Sequence, residues 1–197
     1  MVDTQQGFVP YGPRFEEALL YAARIHAMQR RKGTAIPYVI HLLAVAAIVG
    51  EHGGTEEETI AALLHDAVED QGGQARLSDI RLRFGDTVAT IVWGCTDAET
   101  IPKPPWRARK EVYVAHLAQA SPAVLLVSSA DKLHNARAIL ADLRTSGAAV
   151  WSRFAGGRDG TLWYYRALTD AYARRGGGPL TDELARVVTE IERLAAG

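Results

Sequence analysis

The stretch Ala61-Ala62-Leu63-Leu64-His65-Asp66-Ala67-Val68-Glu69-Asp70 places ionisable side chains inside a run that otherwise seeks burial. Thr55 followed by Glu58 is a capping-box pattern and predicts the helix start. Ile60, Leu63, Leu64 and Ala67 supply its apolar face, and Asp70-Gln71-Gly72-Gly73 ends it. His65 and Glu69 are four residues apart, as are Asp66 and Asp70, so each pair shares a helix face.

Working outward, helix-period segments dominate and no period-2 hairpin stands out, which predicts an all-α fold. A first helix begins near Pro13, carries Phe15, Leu19, Ala22, Ala23 and His26 along one side, and stops near Gly33 and Pro37. A second runs from about His41 to His52 and ends at Gly53-Gly54. Ser78 is expected to cap a short helix to Phe84, with another through Val88, Ile91 and Val92. Thr100 to Trp106, with Pro102, Pro104 and Pro105, reads as a loop, and Arg107 to Gln119 as a helix. Ser121-Pro122 reads as cap and first residue of a long helix to about Arg144. Beyond the Gly156-Gly157 break, helices are expected over 159–175 and 181–195, the last a candidate for a loosely attached appendage.

A chain of 197 residues is most economically one domain, with 1–150 as the main unit and 151–197 as closing helices packed on it. Net charge of −1 provides no basic field of the kind that would suggest a nucleic-acid or membrane partner. The single Cys95 excludes an internal disulfide framework and fits a reducing, cytoplasmic setting. The N-terminus lacks the pattern of a secretory signal, and no apolar stretch approaches a membrane span.

Three segments carry the chemistry. His41 opens one apolar helix, His65-Asp66 lie in a second, and Asp131 lies in a third, Val127-Ser128-Ser129-Ala130-Asp131-Lys132-Leu133. Each alone has an ordinary reading: a core histidine with a backbone partner, a surface dipeptide, a solvated Asp-Lys pair. Together they are four groups whose burial demands partners or a cation. Two imidazoles and two carboxylates suit a divalent transition ion. Glu69 and Asp70, one turn on, are placed to orient a water at such an ion or to take its proton. Their position near a helix end is unfavourable to the dipole, which mildly favours function. Asn135, four residues after Asp131, is expected to face the same site.

The order His41, His65-Asp66-x-x-Glu69-Asp70, Asp131-Lys132-Leu133-His134-Asn135-x-Arg137 resembles the HD-domain hydrolases of the RelA/SpoT alarmone type, closest to the small stand-alone members. Arg31-Lys32-Gly33, Pro37-Tyr38-Val39-Ile40-His41, Phe84-Gly85 and Gly94-Cys95-Thr96-Asp97 extend the likeness over roughly residues 15–145. The resemblance implies an HD-domain helical bundle with a C-terminal helical extension. It implies one Mn²⁺ held by His41, His65, Asp66 and Asp131, with Glu69 and Asp70 as catalytic carboxylates. It also implies substrate contacts from Arg31 to the base, from Lys32 to phosphate, and from Asn135 and Arg137 along the nucleotide pocket. The implied reaction removes the 3′-pyrophosphate of guanosine tetra- or pentaphosphate. Leu42 and Ala138 depart from the family pattern, at helix entry and at a polar pocket position. Aromatic residues beyond about 150, from Trp151 to Tyr172, read first as helix packing. No stretch resembles a synthetase domain, so hydrolysis rather than synthesis of the alarmone is expected. The open alternatives are an HD phosphohydrolase of another nucleotide and a nucleotide sensor without turnover.

Overall fold

The computed structural model describes residues 10–97 and 104–196. Among them the regular structure is helical, and the one β feature is an isolated bridge between Arg30 and Pro37. Helix α1 (Pro13–Ile25) stops earlier than its apolar pattern suggested. Residues 26–38 fold instead as turns pinned by that bridge, with the Arg31 N–H on the Ile36 carbonyl and the Tyr38 N–H on the Gln29 carbonyl. Ala23 is exposed, whereas Ala18, Ala22 and His26 are buried.

Helix α2 (Val39–Glu51) follows, and α3 (Glu56–Leu64) starts with the expected capping box between Thr55 and Glu58. The expected continuous helix through His65-Asp66 is interrupted. Asp66, with ψ near zero, leaves the helical track, and a five-residue helix α4 (Ala67–Gln71) begins after it. The His65 Nδ1–H donates to the Ala62 carbonyl at 2.8 Å, satisfying one of the carbonyls that the end of α3 leaves open. Glu69 and Asp70 are the third and fourth residues of this five-residue helix, so they do not stand at the end of a long helix as expected.

Helix α5 (Gly73–Cys95) starts before Ser78, whose hydroxyl bonds back to the Gln74 carbonyl inside the helix instead of capping it. The break expected after Phe84 is present as a kink at Gly85, whose φ of 89° is open to glycine at little cost. Of the proline-rich loop, residues 98–103 lie outside the described residues; Pro104 and Pro105 are irregular, and Trp106 already opens α6 (Trp106–His116). A 3₁₀ turn over Leu117–Gln119 leads to α7 (Pro122–Ser146), capped by Ser121 as expected.

The remaining helices are α8 (Gly157–Arg174) and α9 (Pro179–Ala196). Helix α9 is no appendage. Its residues Leu180, Leu184, Val188 and Ile191 recur at helical spacing and are buried in the same core as α2, α3 and α7. Ion pairs Arg137–Glu183 and Arg144–Glu190 flank that seam. At the other end, the Ser128 hydroxyl of α7 lies 2.7 Å from the Tyr113 hydroxyl of α6 and 2.6 Å from the Tyr172 hydroxyl of α8. This buried chain of hydroxyls sets where α6 stands over α7. Gly156 permits a further close approach, since a Cβ there would meet the Trp106 ring at 2.6 Å.

Leu184→Ala is expected to cost about 3 kcal/mol by transfer and cavity terms together. Urea denaturation measures it, and a loss below about 0.5 kcal/mol, the scale of a surface substitution, would contradict the packing of α9.

Candidate metal centre and nucleotide cavity

His41, from the first turn of α2, and His65, from the end of α3, are both buried, and their rings meet edge to face at 5.2 Å. Their Nδ1 atoms are engaged away from the site. His65 donates to Ala62, and His41 Nδ1 lies 2.7 Å from His134 Nδ1. Burial, the His41 ring and Arg31 together push the His134 pKa down to about 4, which keeps that ring neutral and able to accept a hydrogen from His41. With the proton of the neutral ring kept on Nδ1, each histidine can turn its Nε2 lone pair inward once a cation replaces the second proton.

Those two Nε2 atoms are buried and have no hydrogen-bond partner. Carboxylate oxygens nevertheless surround them. Asp66 Oδ2 is 3.0 Å from His65 Nε2 and 3.7 Å from His41 Nε2; Asp131 Oδ1 is 3.2 Å from His41 Nε2 and 3.6 Å from His65 Nε2. His41, His65 and Asp66 each offer a ligand atom, all within 4.8 Å of one another. Two orphaned imidazole nitrogens facing two carboxylates fit a divalent cation.

The charges agree. Burial pushes the Asp66 carboxyl up, but the His65 and His41 rings outweigh it and hold the group well below the usual carboxylate range. For Asp131 burial is outweighed by the Lys132 ammonium and then by the two imidazoles. Burial would lower His65, yet Asp66 and Asp131 hold it well above the usual histidine range. Without a cation, protons must fill the gap between these groups.

Each carboxylate is also held by neighbours, Asp66 through the oxygen that faces the histidines and Asp131 through both of its oxygens. The Tyr38 hydroxyl donates to Asp66 Oδ2 at 2.5 Å. Lys132 Nζ and Asn135 Nδ2 both reach Asp131, each at 2.5 Å. Asn135 Oδ1 in turn accepts from Arg31 Nη2 at 2.8 Å, and the Arg31 guanidinium stands 6.0 Å from the Tyr38 ring centroid.

Two adjoining cavities open here. The first, of about 360 Å³, holds Asp66, Asp131, Glu69, Asp70 and Cys95. The second, of about 670 Å³, is walled by Trp106, Phe154, Tyr164 and Tyr165 and rimmed by Arg31, Lys32, Arg109 and Arg153. Lys32, Tyr38, Glu69, Lys110, Lys132 and Asn135 line both. Arg109 and Lys110 of α6 converge on the buried Asp97, and Arg109 Nη1 lies 3.9 Å from Glu69. Burial raises Asp97, but Lys110 and Arg109 outweigh it and hold the carboxyl low.

Of the residues expected at the site, His41, His65, Asp66, Asp131, Glu69, Asp70, Lys32, Arg31 and Asn135 converge. Arg137 does not. Six residues beyond Asp131 on a helix is some 240° around the axis, and its guanidinium pairs with Glu183 of α9 and lines neither cavity. Sequence reasoning missed Arg109, Lys110 and the reach of Lys132. Trp106, Arg109, Lys110 and Tyr113 stand at 3-, 4- and 7-residue spacing, one helix face that turns inward, and that stripe was the available signal.

A family model described as HD domain matches residues 18–162. The chain is an HD-domain protein. This HD protein is 40% identical to the guanosine-3′,5′-bis(diphosphate) 3′-pyrophosphohydrolase MESH1 of Xenopus tropicalis over 139 residues, 69% of this chain and 73% of the relative. The human MESH1 of the same description is 39% identical over the same shares. A solved structure of a metazoan orthologue of SpoT that hydrolyses ppGpp superposes with a TM-score of 0.77 at 29% identity, covering 93% of this chain and 98% of the other. No described helix of the HD protein is long and apolar enough to cross a membrane.

Lys132 and Asp131 form a buried pair, so Lys132→Met leaves a carboxylate without its cation. The variant is expected to lose about 3 kcal/mol in chelator-treated protein, and distinctly less when a divalent ion is supplied to offset Asp131. Denaturation in EDTA and in excess Mn²⁺ measures both; equal losses would mean that Asp131 does not face the ion.

Proposed function

We propose that this HD protein is a Mn²⁺-dependent hydrolase that removes the 3′-pyrophosphate of guanosine tetra- or pentaphosphate, giving GDP or GTP and pyrophosphate. One observation carries the reading. Asp66 and Asp131 of the cluster line a cavity that adjoins a larger aromatic one, and Lys32, Lys110 and Lys132, with Glu69, line both. Those cations, with Arg31, Arg109 and Arg153 on the rim of the larger cavity, stand where the phosphates of a bisphosphorylated nucleoside would lie. The activity of the MESH1 relatives and of the SpoT orthologue agrees with it.

In this reading His41, His65, Asp66 and Asp131 hold the metal. Bound there, a divalent cation polarises the phosphoryl group and lowers the pKa of the attacking water. The protein's own groups do the rest. Tyr38, Lys132 and Asn135 keep Asp66 and Asp131 beside the two histidines. Asp70 and Glu69, in the first cavity, orient the water and accept its proton. Lys32, Lys110 and Lys132 offset charge on the phosphoryl oxygens. Arg31, tied to Asn135, offers a guanidinium plane to the base. Trp106, Tyr164 and Tyr165 exclude water from the nucleoside side.

Purified protein with Mn²⁺ is expected to release pyrophosphate from guanosine tetraphosphate, and to stop on addition of EDTA. Glu69→Gln is expected to retain one metal ion per chain while kcat falls by about 10²–10⁴, the usual worth of a positioned acid or base. Pyrophosphate detection and elemental analysis check both. Unchanged turnover in Glu69→Gln would remove its water-handling role, and turnover of another nucleotide alone would displace the alarmone as substrate.

A further inference from the structure

Asp70 is gripped by a side chain that the chemistry above does not use. Gln29 lies in the turn region after α1, far from Asp70 in sequence, and its Nε2 donates to Asp70 Oδ2 at 2.7 Å. The direction of that amide is not free. Gln29 Oε1 accepts from Gln71 Nε2 at 2.7 Å and lies 2.6 Å from His26 Nδ1. A carbonyl oxygen can only accept, so the His26 contact places a hydrogen on Nδ1 of that buried ring. With Oε1 occupied on two sides and the Asp70 carboxylate able only to accept, Nε2 is the atom that faces Asp70.

The anchors are themselves fixed. His26 stacks on Tyr38 at 5.4 Å with an interplanar angle of 25°, and Tyr38 bonds Asp66. The Gln29 carbonyl accepts the Tyr38 N–H, so main chain and side chain of one residue join the Arg31-Lys32 turn to α4. His26 from the end of α1 and Gln71 from α4 thus meet on Gln29, which itself lines the first cavity with Asp70.

We infer that Gln29 is a positioning residue for hydrolysis: its amide, locked by His26 and Gln71, holds the Asp70 carboxylate in the orientation that handles the attacking water. The inference rests on the hydrolase reading and on Asp70 as a water-handling group. It assigns no substrate contact to Gln29. It also gives a use to the buried His26, whose part is to fix the amide.

The test uses full-length, Mn²⁺-loaded protein with guanosine tetraphosphate. Gln29→Glu keeps the side-chain length and replaces the donor with a second carboxylate facing Asp70. It is expected to lower kcat by about 100-fold, the scale of a misplaced reacting group, with KM within about twofold and metal content unchanged. Gln29→Leu removes the donor without adding charge, and a fall of about tenfold or more in kcat alone is expected. In an Asp70→Asn background, Gln29→Leu is expected to cost almost nothing further, because both changes remove the same interaction. Wild-type kcat in both Gln29 variants would overturn the inference. So would a parallel loss of metal, or a full additional loss in the Asp70→Asn background. Those results leave the hydrolase reading standing; only wild-type protein that fails to release pyrophosphate overturns that reading and, with it, the assignment.

Discussion

Two buried imidazole nitrogens that face two carboxylates are the constraint around which this molecule is arranged. A close-packed apolar core does not tolerate such a cluster unless every member is partnered or shares a cation. Each element contributing to it is held by something outside it. The His65 Nδ1–H closes the end of α3 on Ala62, His134 fixes the His41 ring, Tyr38 holds Asp66, and Lys132 with Asn135 holds Asp131. The break between α3 and α4 belongs to the same arrangement. It turns Asp66 toward the histidines and puts Glu69 and Asp70 on a separate short helix that lines the first cavity beside the cluster.

Around this negative centre the protein sets a positive margin. Lys32 comes from the turn before α2, Lys110 and Arg109 from α6, and Lys132 from α7. Lys110 and Lys132 are largely buried and stand over the rings of Tyr164 and Tyr113 at 4.8 and 5.0 Å. The hydroxyl chain through Ser128 matters for this reason: by joining α6, α7 and α8 through the buried Tyr113 it seats α6 with Lys110 on the wall of the larger cavity. Fold and site are one construction, since the contact that seats α6 also seats its cations.

Much of this was legible in the residues themselves. The capping box at Thr55, the Ser121-Pro122 start of α7 and the breaks at Gly53-Gly54 and Gly156-Gly157 are short-range signals, and the structure follows them. The convergence of His41, His65, Asp66 and Asp131 was legible for a different reason: ionisable groups inside apolar helices are rare enough to need a common explanation. What failed were inferences along single helices. Periodicity carried α1 too far, because the Arg30–Pro37 bridge overrides local preference. Ser78 looked like a cap but bonds within α5. Arg137 belonged to the right motif and points to α9. The stripe on α6 that carries Lys110 could be read, but what it faces could not, and the Gln29 amide was invisible, because both depend on which elements become neighbours.

The central claim is that His41, His65, Asp66 and Asp131 share one divalent ion. An anomalous-scattering map from crystals of the Mn²⁺-loaded protein tests it most directly. The account predicts a single peak roughly 2 Å from His41 Nε2, His65 Nε2 and an oxygen of each aspartate. A map with no peak among these four side chains, or with its peak elsewhere in the molecule, would contradict it.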